Sequence, residues 1–550
     1  MTVRQLTPTS LITSPGSTTP VLVPAARSGS FPDSADVIEL RPSRADEPRS
    51  TGREHRRGSW MRVPWPWLML ICAAQVLLAR TTRGVSTAFE DEGLYIFMGH
   101  RMIDHFLHGV FLPEYPGAYF SGAPGVYPVL AALADDVGGL QAVRDLSLLF
   151  VMVATVGTYG LASQLFGRFA GVLAAASFAV CGSVIYQSQW ATYDAMMMAL
   201  MVLGAWLAVW SARRDGLLWA PAVAALLALA VLTKYAGAVY VPVIAALVVA
   251  DQWAVRRWVI ARRAAFMVLS TIGMTYFVLM LWGRDLLAGI AQTTTDRLII
   301  QVTPRTELVR DVVLWSGPWL GLAVLGAVVL MWRERGRALT ALVLIAAALI
   351  GPAQQVRIGE LTSLAKHLAF GIVFVAPLIG YLLARLVRAK WWLTAVPVAL
   401  VIAALTAHGL HFASLFRTGY ASQAQLQPVL VRAIADNPGR PILGEQPSPQ
   451  RYALRTGTSP KQWNDTYEFS YAGLSGAEAY RRAIRDHYFG VIYLSFSTAN
   501  AQPISDSLGA AQGADRYYHL VGKVPRYIRG ERIGDWLVWA PQTVHLTPID

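Results

Sequence analysis

Charge is what this sequence has least of: only 15% of its 550 residues are Asp, Glu, Lys or Arg, 54% are hydrophobic, and the mean hydropathy is +0.41. A water-soluble globule of this length needs far more polar surface, so an ordinary soluble fold is excluded. Cysteine is nearly absent as well. Cys72 and Cys181 both lie inside apolar runs with no CxxC or Cys/His spacing around them, which excludes a disulfide scaffold or a zinc module and leaves them as packing residues. Acids are outnumbered by bases, 34 to 47, giving a net charge of +13 and a pI near 9.8. In a soluble protein that excess would suggest nucleic acid. Here the arginines stand in short loops between apolar runs, the pattern of membrane topology, and nucleic acid is not an expected partner.

Long apolar runs are what the chain has in abundance. They begin near Pro64, Leu146, Phe169, Thr192, Leu217, Tyr235, Ala264, Val312, Arg337, His367 and Trp391, which makes about eleven segments able to cross about 30 Å of hydrocarbon. Residues 1–62 are rich in Ser, Thr, Pro and Arg and lack periodicity, which predicts a disordered tail, too long and polar for a signal peptide. With that tail in the cytoplasm, the basic turns at Arg168, Arg213-Arg214, Arg256 to Arg263, Arg333 to Arg337 and Arg385 to Lys390 all fall inside. The outside receives a first loop over 81–145, shorter loops at Gln187–Ala191, Gly283–Arg310 and Gln355–Lys366, and the C-terminus. The expected architecture is mainly α: a multi-pass plasma-membrane protein with a transmembrane domain over 63–415 and a small extracytoplasmic α/β domain over 416–550. In that domain, strands are expected at Pro441–Gly444, Val491–Ser495, Tyr517–Val521 and Trp536–Trp539, and a helix at Gly476–His487.

Ionisable residues gather at the outer ends of these spans. Glu90-Asp91-Glu92 opens a helical stretch of the first loop, where carboxylates can act as a general base, bind a metal or cap a helix N-terminus. Residues one and two apart on a helix face different directions, and Glu92 suits the cap better than Asp91 does. Asp194, after Gln189-Trp190-Ala191-Thr192-Tyr193, opens a span at the same depth and is costly there unless used, paired or capping. Lys234 lies in the turn between the fifth and sixth spans, and Arg357, Lys366 and His367 line the loop before the tenth. Such cations can hold a phosphate leaving group or snorkel to the interface. His100, His105 and His108 with Asp104 are badly spaced for a metal, because His100 and His105 point about 140° apart round a helix. No metal site or cofactor is expected; a divalent ion is possible in principle but nothing in the sequence supports it.

The stretch Phe89-Glu-Asp-Glu-Gly-Leu-Tyr95, then Tyr115-Pro116-Gly117 and Ala123-Pro-Gly-Val-Tyr-Pro128, then Arg144, resembles the first-loop pattern of GT-C glycosyltransferases. The likeness is to the protein O-mannosyltransferase and aminoarabinose transferase superfamily (glycosyltransferase family 39 or RgtA/B/C/D-like). Trp190-Ala-Thr-Tyr-Asp194 and Leu232-Thr-Lys-Tyr-Ala236 extend it across about residues 64–410. The resemblance implies a GT-C fold and inverting transfer of a sugar from a polyprenyl-phosphate donor to an extracytoplasmic acceptor, whether a carbohydrate, glycolipid or protein. By the same carry-over, Asp91 is the catalytic carboxylate with Glu92 its neighbour. Taken with the ionisable residues at the outer ends of the spans, the candidate substrate-binding residues are Tyr95, Asp194, Lys234, Arg357, Lys366 and His367. The chain departs from its relatives where many have a Lys or His before Pro: here Gly122-Ala123 precedes Pro124, so a phosphate contact shifts to Lys234, Arg357 or Lys366.

A transporter or flippase using Asp91 and Asp194 as proton or cation sites is the rival reading. Its ionisable residues would sit near the midplane on paired broken helices, whereas these cluster at one face. A non-catalytic scaffolding protein would not need acids and cations to converge. In the exterior domain, Trp463, Asn464, Asp465 and Tyr467 are candidate acceptor contacts.

Overall fold

In hydrocarbon each backbone N–H and C=O must be paired within its own segment, and the apolar runs of this chain accordingly fold as helices. A computed structural model describes residues 64–82, 86–112, 120–214, 217–282, 284–294, 302–389, 391–417, 419–466, 469–497, 504 and 517–542. The expected tail over 1–62, Tyr115-Pro116-Gly117 and Tyr467 lie outside them. The helices are α1 (Trp65–Thr82), α2 (Glu90–His108), α3 (Tyr127–Phe166), α4 (Arg168–Ala179), α5 (Gly182–Gln187), α6 (Tyr193–Ala212), α7 (Ala220–Thr233), α8 (Tyr240–Trp282), α9 (Arg284–Thr294), α10 (Arg305–Arg333), α11 (Ala338–Ile358), α12 (Leu364–Ala389) and α13 (Trp391–Arg417).

Among the described residues, eight helical stretches are long and apolar enough to cross a membrane, and α1, α4 and α7 are shorter apolar helices. Together they account for the apolar runs of the sequence. Two spans share α8, which breaks at Arg256 (φ −146°, ψ 41°) within its basic turn. The first long loop is more helical than a connecting segment need be. It contains α2, and the span expected from Leu146 is the continuation of a helix that already starts at Tyr127 and breaks at Gly138-Gly139. The centre of the bundle is α12, with 83% of its spanning window buried, against 17% for α13 at the periphery. Small residues bring α12 in close: a Cβ at Gly380 would overlap the Ala170 carbonyl of α4.

After α13 the chain adds α14 (Leu426–Ala435), β1 (Ile442–Gly444), α15 (Ser448–Ala453), β2 (Trp463–Asp465), β3 (Ser470–Tyr471), β4 (Leu474–Ser475), α16 (Gly476–Arg485), β5 (Val491–Leu494), β6 (Tyr518–Ile528) and β7 (Glu531–Pro541). Five strands form one sheet in the order β2-β1-β5-β7-β6, with β2, β1 and β5 parallel and β7 and β6 antiparallel. The expected α/β character and strand positions hold, although β6 and β7 are each 11 residues long, well beyond the apolar segments that signalled them. The helix after β1 seats this domain on the bundle. α15 presses against α2 so tightly that a Cβ on Gly93 would meet the Ser448 carbonyl at 2.5 Å.

Candidate active site

Three consecutive carboxylates begin α2, and because successive helical side chains diverge by about 100°, each enters a different environment. Glu92 points into the bundle and is fully buried. Its Oε1 accepts from Arg144 Nε (2.8 Å) and from the Ala191 amide (2.7 Å); its Oε2 accepts from Arg144 Nη2 (2.7 Å) and the Phe89 amide (3.2 Å). Both oxygens are therefore occupied, one bond capping α2 and the others tying it to α3 and the segment before α6. The Arg144 guanidinium also lies over the Trp190 ring, 5.0 Å from its centroid. Glu92, expected beside Asp91 in the site, thus meets four donors from within the chain.

Glu90 turns the opposite way, toward the C-terminal α/β domain, where it accepts from the Ser448 amide (3.3 Å) and the Ser448 hydroxyl. Burial, with the nearby Asp465 carboxylate, pushes its carboxyl up to about 8.

Asp91, between them, is 35% exposed and accepts from Lys366 Nζ at 2.6 Å. Lys366 lies in the first turn of α12, and its ammonium is also 3.7 Å from Asp194 Oδ2, at the start of α6. Asp194 Oδ1 in turn accepts from Lys234 Nζ at 2.5 Å, and Lys234 lies over the Tyr193 ring at 5.0 Å. Two acids and two lysines thus alternate in one line, buried except where it opens at Asp91. Sequence separation hides this network. Lys366 and Asp91 are 275 residues apart, and what brings them together is the packing of α12 through the middle of the bundle.

Lys234 is held by the loop before α3. The Ala123 amide donates to the Leu232 carbonyl and the Tyr235 amide to the Ser121 carbonyl, both at 2.7 Å. A side chain at Gly122 would overlap the Thr233 carbonyl. The loop backbone at Gly122-Ala123 therefore helps to place Lys234.

Tyr95 is buried with its ring 4.4 Å from Tyr193 and 5.4 Å from Phe120, so it walls the site from below. On the other side Phe89 stacks on Tyr420 (4.5 Å) and meets Trp190 edge-on (4.9 Å), while the Tyr186 and Tyr420 hydroxyls are 3.4 Å apart. Tyr186 and Tyr420 carried no signal in the sequence, because lone tyrosines near span ends are common. His367 is turned away from Asp91 toward α11, where its Nδ1 pairs with Gln355 Nε2 at 2.6 Å. The His367 ring nevertheless stays within electrostatic reach of Asp194, whereas Arg357 stands outside the charge network. It is exposed, bonded to Gln354 Oε1 (3.0 Å), and with Arg305 flanks an apolar groove of about 570 Å³ between α10 and α11, lined by Val309, Val313, Leu349 and Val356.

The only described residues whose side chains could group around a metal are His100, Asp135 and Asp136, not the His100, His105, His108 and Asp104 considered from sequence. Asp135 is already engaged by His100 (2.8 Å), Tyr452 (2.5 Å) and Arg455 (2.7 Å), which makes the group a tie between α2, α3 and the C-terminal α/β domain. The candidate acceptor contacts in β2 are likewise internal: Trp463 is buried and donates to Thr458 Oγ1 (2.9 Å), and Asn464 donates to the Gln462 carbonyl (3.1 Å).

Residues 126–282 match the family model of dolichyl-phosphate-mannose-protein mannosyltransferase, a stretch that includes Asp194 and Lys234. No curated protein matches the sequence. Among solved structures, ArnT from Cupriavidus metallidurans in the apo state is similar at a TM-score of 0.59 and 15% identity, over 86% of this chain and 98% of that one. ArnT bound to undecaprenyl phosphate gives a TM-score of 0.56, also at 15% identity and the same coverage. The oligosaccharyltransferase AglB from Archaeoglobus fulgidus, in complex with an inhibitory peptide and a dolichol-phosphate, gives 0.56 at 13% identity over 87% of this chain and 74% of that one. The chain thus matches the mannosyltransferase family model across α3 to α8, and over most of its length it shares the fold of these membrane glycosyltransferases.

Proposed function

We propose that this glycosyltransferase moves a sugar from a polyprenyl-phosphate donor to an extracytoplasmic acceptor, a glycan, glycolipid or protein, by one inverting displacement with Asp91 as the base. The observation that carries the reading is Asp91 itself, the half-exposed end of an otherwise buried line of paired charges. Asp91 takes the proton of an acceptor hydroxyl as that oxygen attacks the anomeric carbon; the bond from that carbon to the phosphate oxygen breaks, and its electron pair leaves with the polyprenyl phosphate. Lys366 fixes the Asp91 carboxylate, and Asp194 with Lys234 fixes Lys366. The polyprenyl chain fits the apolar groove between α10 and α11, with Arg305 and Arg357 at its mouth for the phosphate. A lipid-phosphate donor of this kind is in keeping with the shared fold, since ArnT was solved bound to undecaprenyl phosphate.

The site faces away from the cytoplasm in this reading. The basic turns at Arg168, Arg213-Arg214, Arg333 to Arg337 and Arg385 lie at the opposite end of the helices from Asp91, which supports an orientation with those turns inside and the α/β domain outside the plasma membrane. Cysteines placed at 440–466 should react with an impermeant thiol reagent from outside, and cysteines at 256–263 should not; the reverse pattern refutes the orientation.

The functional test is incubation of purified protein with radiolabelled lipid-linked sugars and membrane acceptors. A glycosylated product appearing together with free polyprenyl phosphate is expected. Movement of the lipid-linked sugar across the bilayer with no phosphate release would instead establish the flippase.

A further inference from the structure

β6 and β7 run beyond the body of the exterior domain and close in the two-residue turn Arg529-Gly530, both residues in the left-handed region (φ 55° and 81°). Glycine adopts that conformation freely and the pair suits the tight turns of twisted hairpins. Residues 531–534 are exposed, so the tip projects from the sheet instead of covering it. The pairing shifts register between Arg526–Gly534 and Tyr527–Arg532, which leaves Ile533 as an extra residue and bends the tip. Tyr527 is 47% exposed there and Ile533 45%.

The direction of the bend is given by one contact. Arg529 Nη2 donates to the Leu415 carbonyl (3.4 Å), and Leu415 is in the last turn of the spanning stretch Leu393–Phe416. The hairpin tip therefore lies at the depth where a membrane span ends. The tip is also basic: Lys523, Arg526, Arg529 and Arg532 stand against Glu531 and Asp535. Lys523 (3.3 Å) and Arg532 (2.5 Å) both lean on Asp535. A tyrosine, an aliphatic side chain and arginines at that depth are the composition of an interfacial anchor.

We propose that this hairpin tip is a membrane foot, with Tyr527 and Ile533 seated among the lipid headgroups and Arg529 and Arg532 taking anionic phosphates of the bilayer surface. The foot gives the domain a second attachment besides the contact of α15 with α2. It involves no residue of the charge network and stands whether or not the proposed sugar transfer is correct.

The test uses the full chain in lipid nanodiscs of phosphatidylcholine, alone or mixed with phosphatidylglycerol. Ile533→Cys and, at the other end of β6, His519→Cys carry a fluorescent probe, and the unaltered chain labelled in parallel gives the background from Cys72 and Cys181. The probe at 533 should be quenched severalfold more than that at 519 by a lipid with a nitroxide near its headgroup, and should be shielded from aqueous iodide. Phosphatidylglycerol should increase that quenching, and Arg529→Gln with Arg532→Gln should remove the increase. Equal iodide access at both positions overturns the foot, equal quenching in both lipid mixtures overturns the anionic headgroup assignment, and probe crosslinking between chains would make the tip a contact between copies instead.

Discussion

Both ends of the helical bundle hold clusters of opposite charges; at the end next to the α/β domain Arg144 forks onto Glu92, but the line that opens at Asp91 is built on lysine. At the end away from that domain, Asp251 accepts two bonds from Arg213 (2.8 and 2.6 Å) and lies 3.4 Å from Arg337. Glu334 there accepts from Tyr381 (2.9 Å) and Arg385 (2.5 Å), while Arg337 also donates to the Leu165 carbonyl (2.5 Å) at the end of α3. Guanidinium forks occupy both oxygens of a carboxylate and reach helix C-terminal carbonyls with what remains. At the domain end, a single lysine ammonium is divided between Asp91 and Asp194, and Asp91 keeps one side open to solvent. Arginine satisfies a carboxylate completely; lysine holds one in place and leaves it available. The first arrangement ties helices together and the second suits chemistry.

The sharpest way to break this contrast is Asp91→Asn. It preserves size and most hydrogen bonding but removes the proton acceptor, and turnover should fall by about a hundredfold or more, with thermal stability and donor binding little changed. Product formation from labelled lipid-linked sugar by variants of matched stability is the measurement, and near-normal turnover would remove Asp91 from the mechanism. Glu92→Gln, one residue away, should act in the other currency. It strands the Arg144 guanidinium, whose side chain is 2% exposed, without a counter-charge. Breaking such a pair costs about 3–5 kcal/mol, so a clear drop in melting temperature in detergent should accompany any loss of activity. An unaltered melting temperature would show that Glu92 does not hold α2 in place.

What the sequence makes legible follows range. The spans are readable because a run of apolar residues in lipid has one solution, and the basic turns because they are adjacent to those spans. That Asp91, Asp194, Lys234 and Lys366 share one end of the bundle is readable from the same topology. Their order in a line is not, because it depends on how α12 threads between α3, α4 and α6. The different fates of Glu90, Asp91 and Glu92 follow in part from helix geometry, which favours Glu92 as the cap, but no local signal announces that Glu90 meets Ser448, 358 residues away. His367 and Arg357 look like partners of Lys366 in sequence; a helix turn sends His367 toward Gln355, and Arg357 lies on α11 at the groove.

A smaller effect is expected at the arginine-rich end. Asp251→Asn should leave turnover unchanged and lower stability by about 1 kcal/mol, since its partners Arg213 and Arg337 are about 30% exposed and water can replace the lost charge. Paired turnover and melting measurements decide this. A turnover loss comparable to that of Asp91→Asn would mean that both charge clusters serve catalysis, and the contrast between them would fail.

The least conspicuous effect concerns Glu90 and pH. Its carboxyl is raised from 4.5 to about 8, first by burial and then by the Asp465 carboxylate. Between those two values the folded chain keeps a proton that the unfolded chain has released, so stability falls as pH rises through that interval. The contribution is complete below about pH 4.5 and gone above about pH 8. Glu90→Gln cannot ionise and removes this slope while keeping an acceptor for the Ser448 hydroxyl, so it should become the more stable protein relative to wild type as pH is raised. Its turnover should change far less than that of Asp91→Asn, because Glu90 faces the α2–α15 interface and not the open end of the charge line. Melting temperatures of the two proteins measured at intervals from pH 5 to pH 8 should diverge steadily. Parallel curves would mean that Glu90 is ionised at the interface throughout, and that Ser448 and its surroundings stabilise the charge better than their burial suggests.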